Sequence, residues 1–534
     1  MTHIDHLLGA TRRLCRRIAL PMLFAVAACG APPLAPSPAR SAAPAAGAVQ
    51  ASPAQRQEWL AMFARGYVPG RSGQVFVVPR EGDILTTANP YFNFMHGTPW
   101  DYDARIPVLF YGAPFVRQGS WPAVALQQDV APTLGAIIGA PPLPAATGRV
   151  LDEVLAPGAA RPRVAVLIVL DGMRADYFDR YAALIPTLTR MRREGAWFPN
   201  ARTNVLPTVT GVGHANIGTG SEPRFHGIAV NKYFDPTAEQ GKEARDVYEV
   251  LGPRELKVLT LADVWHRAAG DEAVIIGQGG FFRATDGLVG QGNDPISTRP
   301  VFASSYDETT GRFTTNDKAY RHSEALDAFD AKAFWASATG DGSGGAAFKE
   351  KEFRSSPLYQ RFEGEALLAV LDHEAIGTHP GMDLVVVNLK GPDYTGHAHG
   401  PDSGELQETL RELDVQMTAL LAQLDRTAGP GQSVIALTAD HGMASEPAAQ
   451  RRHYDTEVVA ALADRLGATP DCFHYIDPAN SQMSVEIARL QSLGITLQDV
   501  ARCLESLNYI AAAFTEDEVR AAQAELGRPG GAGG

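Results

Sequence analysis

The sequence predicts an α/β protein with a central, mostly parallel sheet flanked by helices. Three unbroken apolar runs support this fold, and each runs into an acidic residue: VAVLIVLDG (164–172), DLVVVNLKGPD (383–393) and SVIALTADHG (433–442). Strands of a parallel sheet are buried on both faces and therefore give continuous apolar runs. Between the last two runs, residues 404–425 repeat leucine and methionine at helical spacing, which predicts an amphipathic helix.

The N-terminus has the pattern of an export signal. Four arginines between positions 12 and 17 precede the apolar stretch 18–29, which is too short to cross a bilayer. The stretch ends in small residues followed by Cys29, as in the lipobox of bacterial lipoproteins. We therefore expect a signal peptide over 1–28, lipidation of Cys29, and a periplasmic or cell-envelope protein attached to the membrane by its lipid anchor only. An ordinary cleaved signal is the alternative.

The remaining chain predicts a tether followed by one catalytic domain. Residues 29–56 are rich in proline and alanine, without core-forming periodicity, and indicate a flexible tether. Residues 57–534 are then expected to form a single α/β domain with its core over 164–445 and a remaining C-terminal region over 446–534. Within this C-terminal region we expect residues 480–530 to be helical. The formal net charge of −13 argues against a nucleic-acid-binding surface, because binding phosphates requires a basic excess.

Two further features leave structural questions open. Residues 232–360 are rich in glycine, aspartate and threonine and predict a cap or insertion over the ligand crevice. Cys472 and Cys503 are the cysteines of the predicted domain, and in an oxidising compartment they could form a disulfide. Two buried free thiols are the alternative.

Aspartate and histidine side chains follow the three predicted strands. The carboxyl ends of parallel strands line one crevice, so these side chains should converge there. Carboxylate and imidazole ligands together suit zinc or a similar divalent ion, and two ions need about six such ligands. The five candidates are Asp171, Asp393, His397, Asp440 and His441.

Four segments in this order resemble the motifs of the alkaline phosphatase superfamily, in particular its type I phosphodiesterase/nucleotide pyrophosphatase branch. The segments are VLDGMRADYF, LPTVTGVGHANIGTGSEPRFHGIAVN, GPDYTGHAHGP and TADHGM. The resemblance implies a hydrolase of small-molecule phosphate esters that uses two divalent ions, Zn²⁺ being the expected metal. It also implies a phosphothreonine formed on Thr210, with Asn231 and the backbone amide of Gly211 binding the phosphoryl oxygens.

The resemblance further implies how the ligands are shared between the two ions. One ion would be held by Asp171, Asp440 and His441 together with Thr210, and the other by Asp393, His397 and a sixth ligand. His214 is expected to orient other groups rather than to act as a base, because a metal-activated hydroxyl needs none.

The sixth ligand is predicted to come from the N-terminal part of the domain. In the family it follows the Asp-His pair in a His-Gly loop, whereas here GYVPGRSGQVFVVP (66–79) and HGTPWDYDARIPVLFYG (96–112) resemble that region. We interpret residues 57–155 as the usual C-terminal part moved to the front, a circular permutation joined through residues 156–163. His96 then becomes the sixth ligand, and His453 or His474 downstream is the alternative.

The substrate class follows from the charges expected at the site. Some monoesterases of this group carry a Lys/Arg pair after a strand, but the corresponding segment, AVIIGQGGFFRATDG, has Arg283 without a neighbouring lysine. This favours phosphodiesters or nucleotide pyrophosphates, with an alkaline phosphatase-like monoesterase as the alternative. A sulfatase is disfavoured because Thr210 does not stand in a Cys/Ser-x-Pro-x-Arg context, and a non-catalytic binding lipoprotein is disfavoured because the ligand set is intact.

Overall fold

The computed structural model describes residues 51–158, 160–235, 244–293, 299–340, 348–445, 451–474 and 477–526. They belong to one compact unit, Ala48–Gly534. The predicted signal peptide, Cys29 and nearly all of the tether lie outside the described residues. The first helix begins at Pro53 behind a capping box made by Ser52 and Gln55, so the prediction that the tether extends to residue 56 is wrong.

The helices alternate with strands along most of the chain. They are α1 Pro53–Gly66, α2 Asp101–Ala104, α3 Val130–Ile138, α4 Tyr177–Arg180, α5 Pro186–Glu194, α6 Thr210–Thr219, α7 Pro223–His226, α8 Leu261–Ala269, α9 Phe282–Val289, α10 Ala331–Thr339, α11 Glu350–Arg354, α12 Pro357–His373, α13 Gly391–His399, α14 Gly404–Thr427, α15 Asp455–Leu466, α16 Ile487–Ser492, α17 Leu497–Glu505 and α18 Glu516–Leu526. Among the described residues, none of these helices is both long enough and apolar enough to cross a membrane.

The strands form two larger sheets and two short pairs. They are β1 Val75–Pro79, β2 Ile84–Thr86, β3 Val108–Tyr111, β4 Gly119–Ser120, β5 Val164–Leu170, β6 Ala196–Trp197, β7 Lys232–Phe234, β8 Ala244–Asp246, β9 Ile275–Gly279, β10 Val301–Asp307, β11 Arg312–Thr314, β12 Asp383–Leu389, β13 Ser433–Thr438, β14 Arg452–Tyr454, β15 Phe473–His474, β16 Gln482–Val485 and β17 Ile510–Thr515.

The central sheet confirms the predicted α/β fold. Its order is β11-β10-β9-β12-β5-β13-β3-β6-β4, and the five strands from β10 to β13 in this order are mutually parallel. The three apolar runs become the neighbours β12, β5 and β13, and every residue of β5 and β12 is buried. On the flanking helix α14, the predicted apolar positions are all buried, namely Leu406, Leu410, Leu413, Met417, Leu420 and Leu424.

Two sequence-based assignments need correction. The predicted cap, 232–360, is not separate from the core, because β9 and β10 from this segment extend the parallel sheet beside β12. The region 480–530, expected to be helical, also contains β16 and β17. In both cases the strands are short and are stabilised by partners that lie far away in the sequence.

The N-terminal part of the domain packs with the C-terminal part. Strand β1 lies between β16 and β17 in the four-stranded sheet, with Phe76 opposite Phe514. Strand β3 continues the central sheet antiparallel to β13, with Leu109 opposite Leu437. The segment between β1 and β3 is thereby held across the carboxyl end of β13. The circular permutation itself stays a prediction.

Cys472 and Cys503 are buried free thiols, so the disulfide alternative is wrong for this structure. Both side chains belong to one apolar cluster with Val500 and Leu504, and there they act as small apolar groups. We expect two titratable thiols in denatured, non-reduced protein comprising residues 48–534, as measured with a thiol-specific chromogenic reagent. A count of zero would contradict the free-thiol structure.

Candidate metal centre

Three aspartates meet at the carboxyl edge of the central sheet. Asp171 directly follows β5, Asp440 follows β13 by two residues, and Asp393 lies in the first turn of α13, which begins just after β12. Since β12, β5 and β13 are parallel neighbours, their ends lie side by side. The strand order therefore brings together the carboxylates that the sequence predicts to converge.

Each of these aspartates has one oxygen bonded to protein and one oxygen without a partner. Asp440 Oδ1 accepts hydrogen bonds from the backbone N–H groups of Gly172 (3.2 Å) and His441 (2.9 Å). Asp171 Oδ1, Asp393 Oδ1 and Asp440 Oδ2 have no hydrogen-bond partner, although all three side chains are at most 2% exposed. Burying an unpaired carboxylate oxygen is costly, so the arrangement fits a bound cation.

Three histidines present the same ring nitrogen to these oxygens. The Nδ1–H groups of His96, His397 and His441 donate to the backbone carbonyls of Thr208 (2.8 Å), Phe94 (2.6 Å) and Gly442 (2.8 Å). A histidine that donates through Nδ1 has an unprotonated Nε2 in its neutral form, and such backbone bonds are typical of metal-ligating histidines. All three Nε2 atoms are thus oriented as ligands.

The ligand atoms form two overlapping trios. Asp171, Asp440 and His441 contribute atoms within 4.8 Å of one another, and so do His96, Asp393 and His441. His397 belongs to neither trio, although its Nε2 lies 3.2 Å from Asp393 Oδ1. The ring of His96 is 3.4 Å from that of His441 and 5.1 Å from that of His397, measured between centroids. His441 thus belongs to both trios by distance. The sequence motifs assign it to the trio that contains Asp171.

The electrostatics of the centre also favour cations. Burial, reinforced by the charge of Asp440, raises the pKa of Asp171 to about 8. Burial, together with His441 and His397, holds the pKa of His96 well below its usual range, so this ring is neutral. Burial opposes protonation of His441 as well, yet Asp440 and Asp171 raise its pKa to about 9. Without metal, protons on Asp171 and His441 therefore offset part of the negative charge of the three crowded carboxylates.

Thr210 is the first residue of α6 and faces this cluster. Its side chain is 4% exposed, and its Oγ1 lies 3.4 Å from His441 Nε2. The positive end of the helix dipole lies at the same point, which favours an anionic group there. The helix can approach this closely because Gly213 has no side chain: a Cβ at Gly213 would lie 2.6 Å from the Cβ of Asp440.

Asn231 lies beside the start of α6, held by Gly211. The N–H of Gly211 donates to Asn231 Oδ1 at 2.8 Å, so the amide orientation is fixed and Nδ2 is the free end. The N–H of Asn231 donates to Asn480 Oδ1 at 3.1 Å. In this structure the N–H of Gly211 is bonded to Asn231, and binding of substrate by the Gly211 amide stays a prediction.

Other predicted candidates lie outside the ligand set. His453 Nε2 pairs with Asp83 Oδ1 at 2.9 Å and stacks on Tyr509, while His474 pairs with Glu486 at 2.9 Å. Neither alternative sixth ligand belongs to the trios found among the described residues. Of the three histidines considered as the sixth ligand, His96 is therefore the one that reaches the cluster in the described part of the chain.

Sequence reasoning missed two polar residues that contact the aspartates, Asn388 and Lys390. Asn388 Nδ2 donates to Asp171 Oδ2 (3.0 Å) and to His214 Nε2 (2.8 Å), while His214 Nδ1 donates to the carbonyl of Thr210 (2.8 Å). His214 therefore orients its neighbours, as expected. Lys390 pairs with both Asp171 and Asp393. The available signal was an asparagine and a lysine at the end of an otherwise apolar strand.

Comparisons with known proteins agree with the motifs. The family profile of type I phosphodiesterase/nucleotide pyrophosphatase matches residues 165–489. Alkaline phosphatase PafA of Elizabethkingia meningoseptica is 26% identical over 55% of this chain and 62% of its own length. Alkaline phosphatase PhoV of Synechococcus elongatus is 28% identical over 56% of this chain and 62% of its own. Mouse ectonucleotide pyrophosphatase/phosphodiesterase family member 1 is 23% identical over 52% of this chain and 24% of its own.

The fold has a matching solved structure. The crystal structure of wild-type alkaline phosphatase PafA superposes with a TM-score of 0.50 at 22% identity, covering 65% of this chain and 76% of that one. The chain spans about 62% of the length of the two bacterial relatives. The family profile matches well over half of the 534 residues. The chain therefore belongs to the type I phosphodiesterase/nucleotide pyrophosphatase family.

Proposed function

We propose that this protein is a metal-dependent phosphoric ester hydrolase in which Thr210 is the nucleophile. One observation carries the proposal: a hydroxyl at the N-terminus of a buried helix lies 3.4 Å from His441 Nε2, which belongs to a cluster of three histidines and three aspartates with unpaired carboxylate oxygens. A hydroxyl placed among hard ligands and at a positive helix end suits attack on an anionic phosphorus centre. The relatives named alkaline phosphatase or pyrophosphatase/phosphodiesterase support the same reaction class.

The ligand set fits two divalent ions, and Zn²⁺ suits its mixture of carboxylate and imidazole donors. Asp171, Asp440 and His441 would hold one ion next to Thr210, while Asp393, His397 and His96 would hold the other. When bound, such ions lower the pKa of a coordinated hydroxyl and withdraw charge from phosphoryl oxygens. The role of His96, and with it the permuted order of the chain, belongs to this proposal.

The remaining chemistry falls to the side chains. Thr210 Oγ1 loses its proton to solvent and attacks phosphorus, the P–O bond to the leaving alcohol or phosphate breaks, the leaving oxygen takes up a proton from solvent, and a phosphothreonine results. Water then cleaves the Thr210 Oγ–P bond, releasing phosphate or a monoester and restoring the hydroxyl. Asn231 Nδ2 donates to a non-bridging oxygen in both steps, while Gly211 keeps the amide in that orientation. His214 fixes the first turn of α6 through the Thr210 carbonyl.

We propose phosphodiesters or nucleotide pyrophosphates as the substrates. Arg283, the cation that follows β9, donates to Asp246, which also pairs with Lys232 at 3.6 Å, and its guanidinium lies 4.4 Å from the centroid of the Phe281 ring. A monoester carries close to two negative charges at neutral pH, whereas a diester carries one. Because Asp246 engages both Arg283 and Lys232 in this structure, we propose that neither cation serves a second phosphate charge and that the site favours the monoanion.

A comparison of the two ester classes tests this choice. With matched aryl leaving groups, the zinc-loaded protein should show a higher kcat/KM for the diester than for the monoester. A ratio that strongly favours the monoester would replace the diesterase by an alkaline phosphatase-like monoesterase, the alternative favoured by the names of the bacterial relatives. Neither result alters the metal centre.

The proposed location is the periplasm or cell envelope, with the protein held by a lipid on Cys29. The basis is the arginine-rich, apolar and small-residue pattern of residues 12–29. Radiolabelled palmitate incorporation, lost on Cys29→Ser, would support the anchor. If the unsubstituted protein incorporated no palmitate, residues 1–28 would be an ordinary cleaved signal peptide and the lipid anchor would be wrong.

A further inference from the structure

A buried lysine connects the two halves of the metal centre. Lys390 immediately follows β12 and is 6% exposed. Its Nζ lies 2.9 Å from Asp171 Oδ2 and 2.7 Å from Asp393 Oδ2. The ammonium thus touches one carboxylate of each proposed ion site, and in both residues it contacts Oδ2, whereas Oδ1 lies near a histidine Nε2.

The contacts of Lys390 explain which aspartate oxygens are left for the ions. Asp171 Oδ2 is occupied by Lys390 and by Asn388, and Asp393 Oδ2 is occupied by Lys390. The Oδ1 atoms of the same two residues have no partner. A carboxylate whose second oxygen is held in this way offers a single, directed ligand atom.

The surrounding structure is built to accept the lysine. A Cβ at Gly280 would lie 2.4 Å from the Cβ of Lys390, so the absence of a side chain there makes room for it. The ring of Tyr394 lies 5.1 Å from Nζ, within range of a cation–π contact. Glu363 accepts the backbone N–H groups of Lys390 (3.0 Å) and Gly391 (2.9 Å), which fixes the backbone from which the side chain extends.

The position of this cation is unfavourable without its partners. Lys390 is the residue before the first turn of α13, where the positive end of the helix dipole disfavours a cation, and burial disfavours any charge. The negative charges of Asp171 and Asp393 offset the unfavourable helix dipole and the cost of burial. An uncharged side chain of similar length could fill the same space without these costs. The charge of Lys390 therefore indicates an electrostatic role.

We propose that Lys390 is a positioning residue that couples the two ion sites, because its ammonium holds the carboxylates of Asp171 and Asp393 in fixed orientations. The inference rests on the proposed two-ion centre, and it adds a residue that contacts neither the ions nor the substrate. Its role is to turn both Oδ1 atoms towards their ions at the same time. Removing the ammonium is therefore expected to weaken both sites together, not one alone.

The test is a competition titration of metal-free protein with Zn²⁺ against a chromophoric chelator at constant pH. Lys390→Met keeps the aliphatic stem and removes the charge, and both zinc dissociation constants should rise by about 10- to 100-fold. Lys390→Arg keeps the charge with differently placed donors and should raise both constants less. Lys349→Met, at an exposed lysine paired with Glu352, is the matched control and should leave both unchanged.

The outcomes separate this inference from the proposed function. Unsubstituted protein that binds no zinc would overturn the two-ion centre itself. Two tight sites in the unsubstituted protein, with unchanged constants or one changed constant in Lys390→Met, would overturn the coupling role alone. A purely structural lysine would lower the melting temperature without changing the zinc constants. If Lys390→Met does not fold, unchanged constants in Lys390→Arg would overturn the proposal equally.

Discussion

Replacing Thr210 with alanine is expected to lower kcat by about 10³-fold or more while leaving two zinc ions per chain. The hydroxyl is the attacking group in the proposed mechanism, and losing a nucleophile typically removes most of an enzyme's chemical acceleration. The aspartates and histidines that would hold the ions remain in place. Steady-state kinetics with an aryl phosphodiester and metal analysis by mass spectrometry measure both quantities.

Two companion variants sharpen this experiment. Thr210→Ser retains a hydroxyl and should keep a substantial part of the activity. Thr219→Ala removes a buried hydroxyl from the other end of the same helix, where it bonds the carbonyl of Ala215, and should affect turnover little. If Thr210→Ala kept most of its kcat, direct attack by water would replace the phosphothreonine mechanism.

Replacing His96 with alanine is expected to lower the zinc content from two ions towards one and to reduce activity by about 10²-fold or more. His96 is 5% exposed, its Nδ1–H is bound to Thr208, and its Nε2 lies 3.8 Å from Asp393 Oδ1. Losing this ligand leaves Asp393 and His397 as the protein ligands of that ion.

His453→Ala is the matched control for His96→Ala. His453 comes from the part of the chain where the family order would place the last ligand, but it pairs with Asp83 and stacks on Tyr509 at 3.8 Å. Zinc content and activity should therefore stay close to those of the unsubstituted protein. The reverse ranking of the two variants would contradict both the role of His96 and the permuted order.

The central sheet was predictable because its signals are local. The runs that become β5, β12 and β13 are mostly apolar, as expected for strands that are buried on both faces. Each run is followed by an acidic residue, and the carboxyl ends of parallel strands meet at one edge of a sheet. The sequence therefore also indicated the edge at which the metal ligands lie. The strands β9 and β10 were missed because the glycine- and polar-rich segment around them hides two strands whose stability comes from pairing with β12 and with each other.

The metal centre was predictable only in part. Asp171, Asp393 and Asp440 lie within the first few residues after their strands, so chain order and strand polarity suffice to bring them together. Lys390 was not predictable in its role, because its contacts depend on the gap left by Gly280 and on the exact approach of two strand ends. The orientation of Gly211 towards Asn231 likewise depends on packing that no motif specifies.

Anomalous X-ray scattering at the zinc edge on crystals of the zinc-loaded protein tests the central claim most directly. Two peaks are expected at the carboxyl edge of the central sheet. One should lie about 2.0–2.2 Å from ligand atoms of Asp171, Asp440 and His441, and the other at the same distance from Asp393, His397 and His96. A single peak, or a second ion that does not contact His96, would contradict the account.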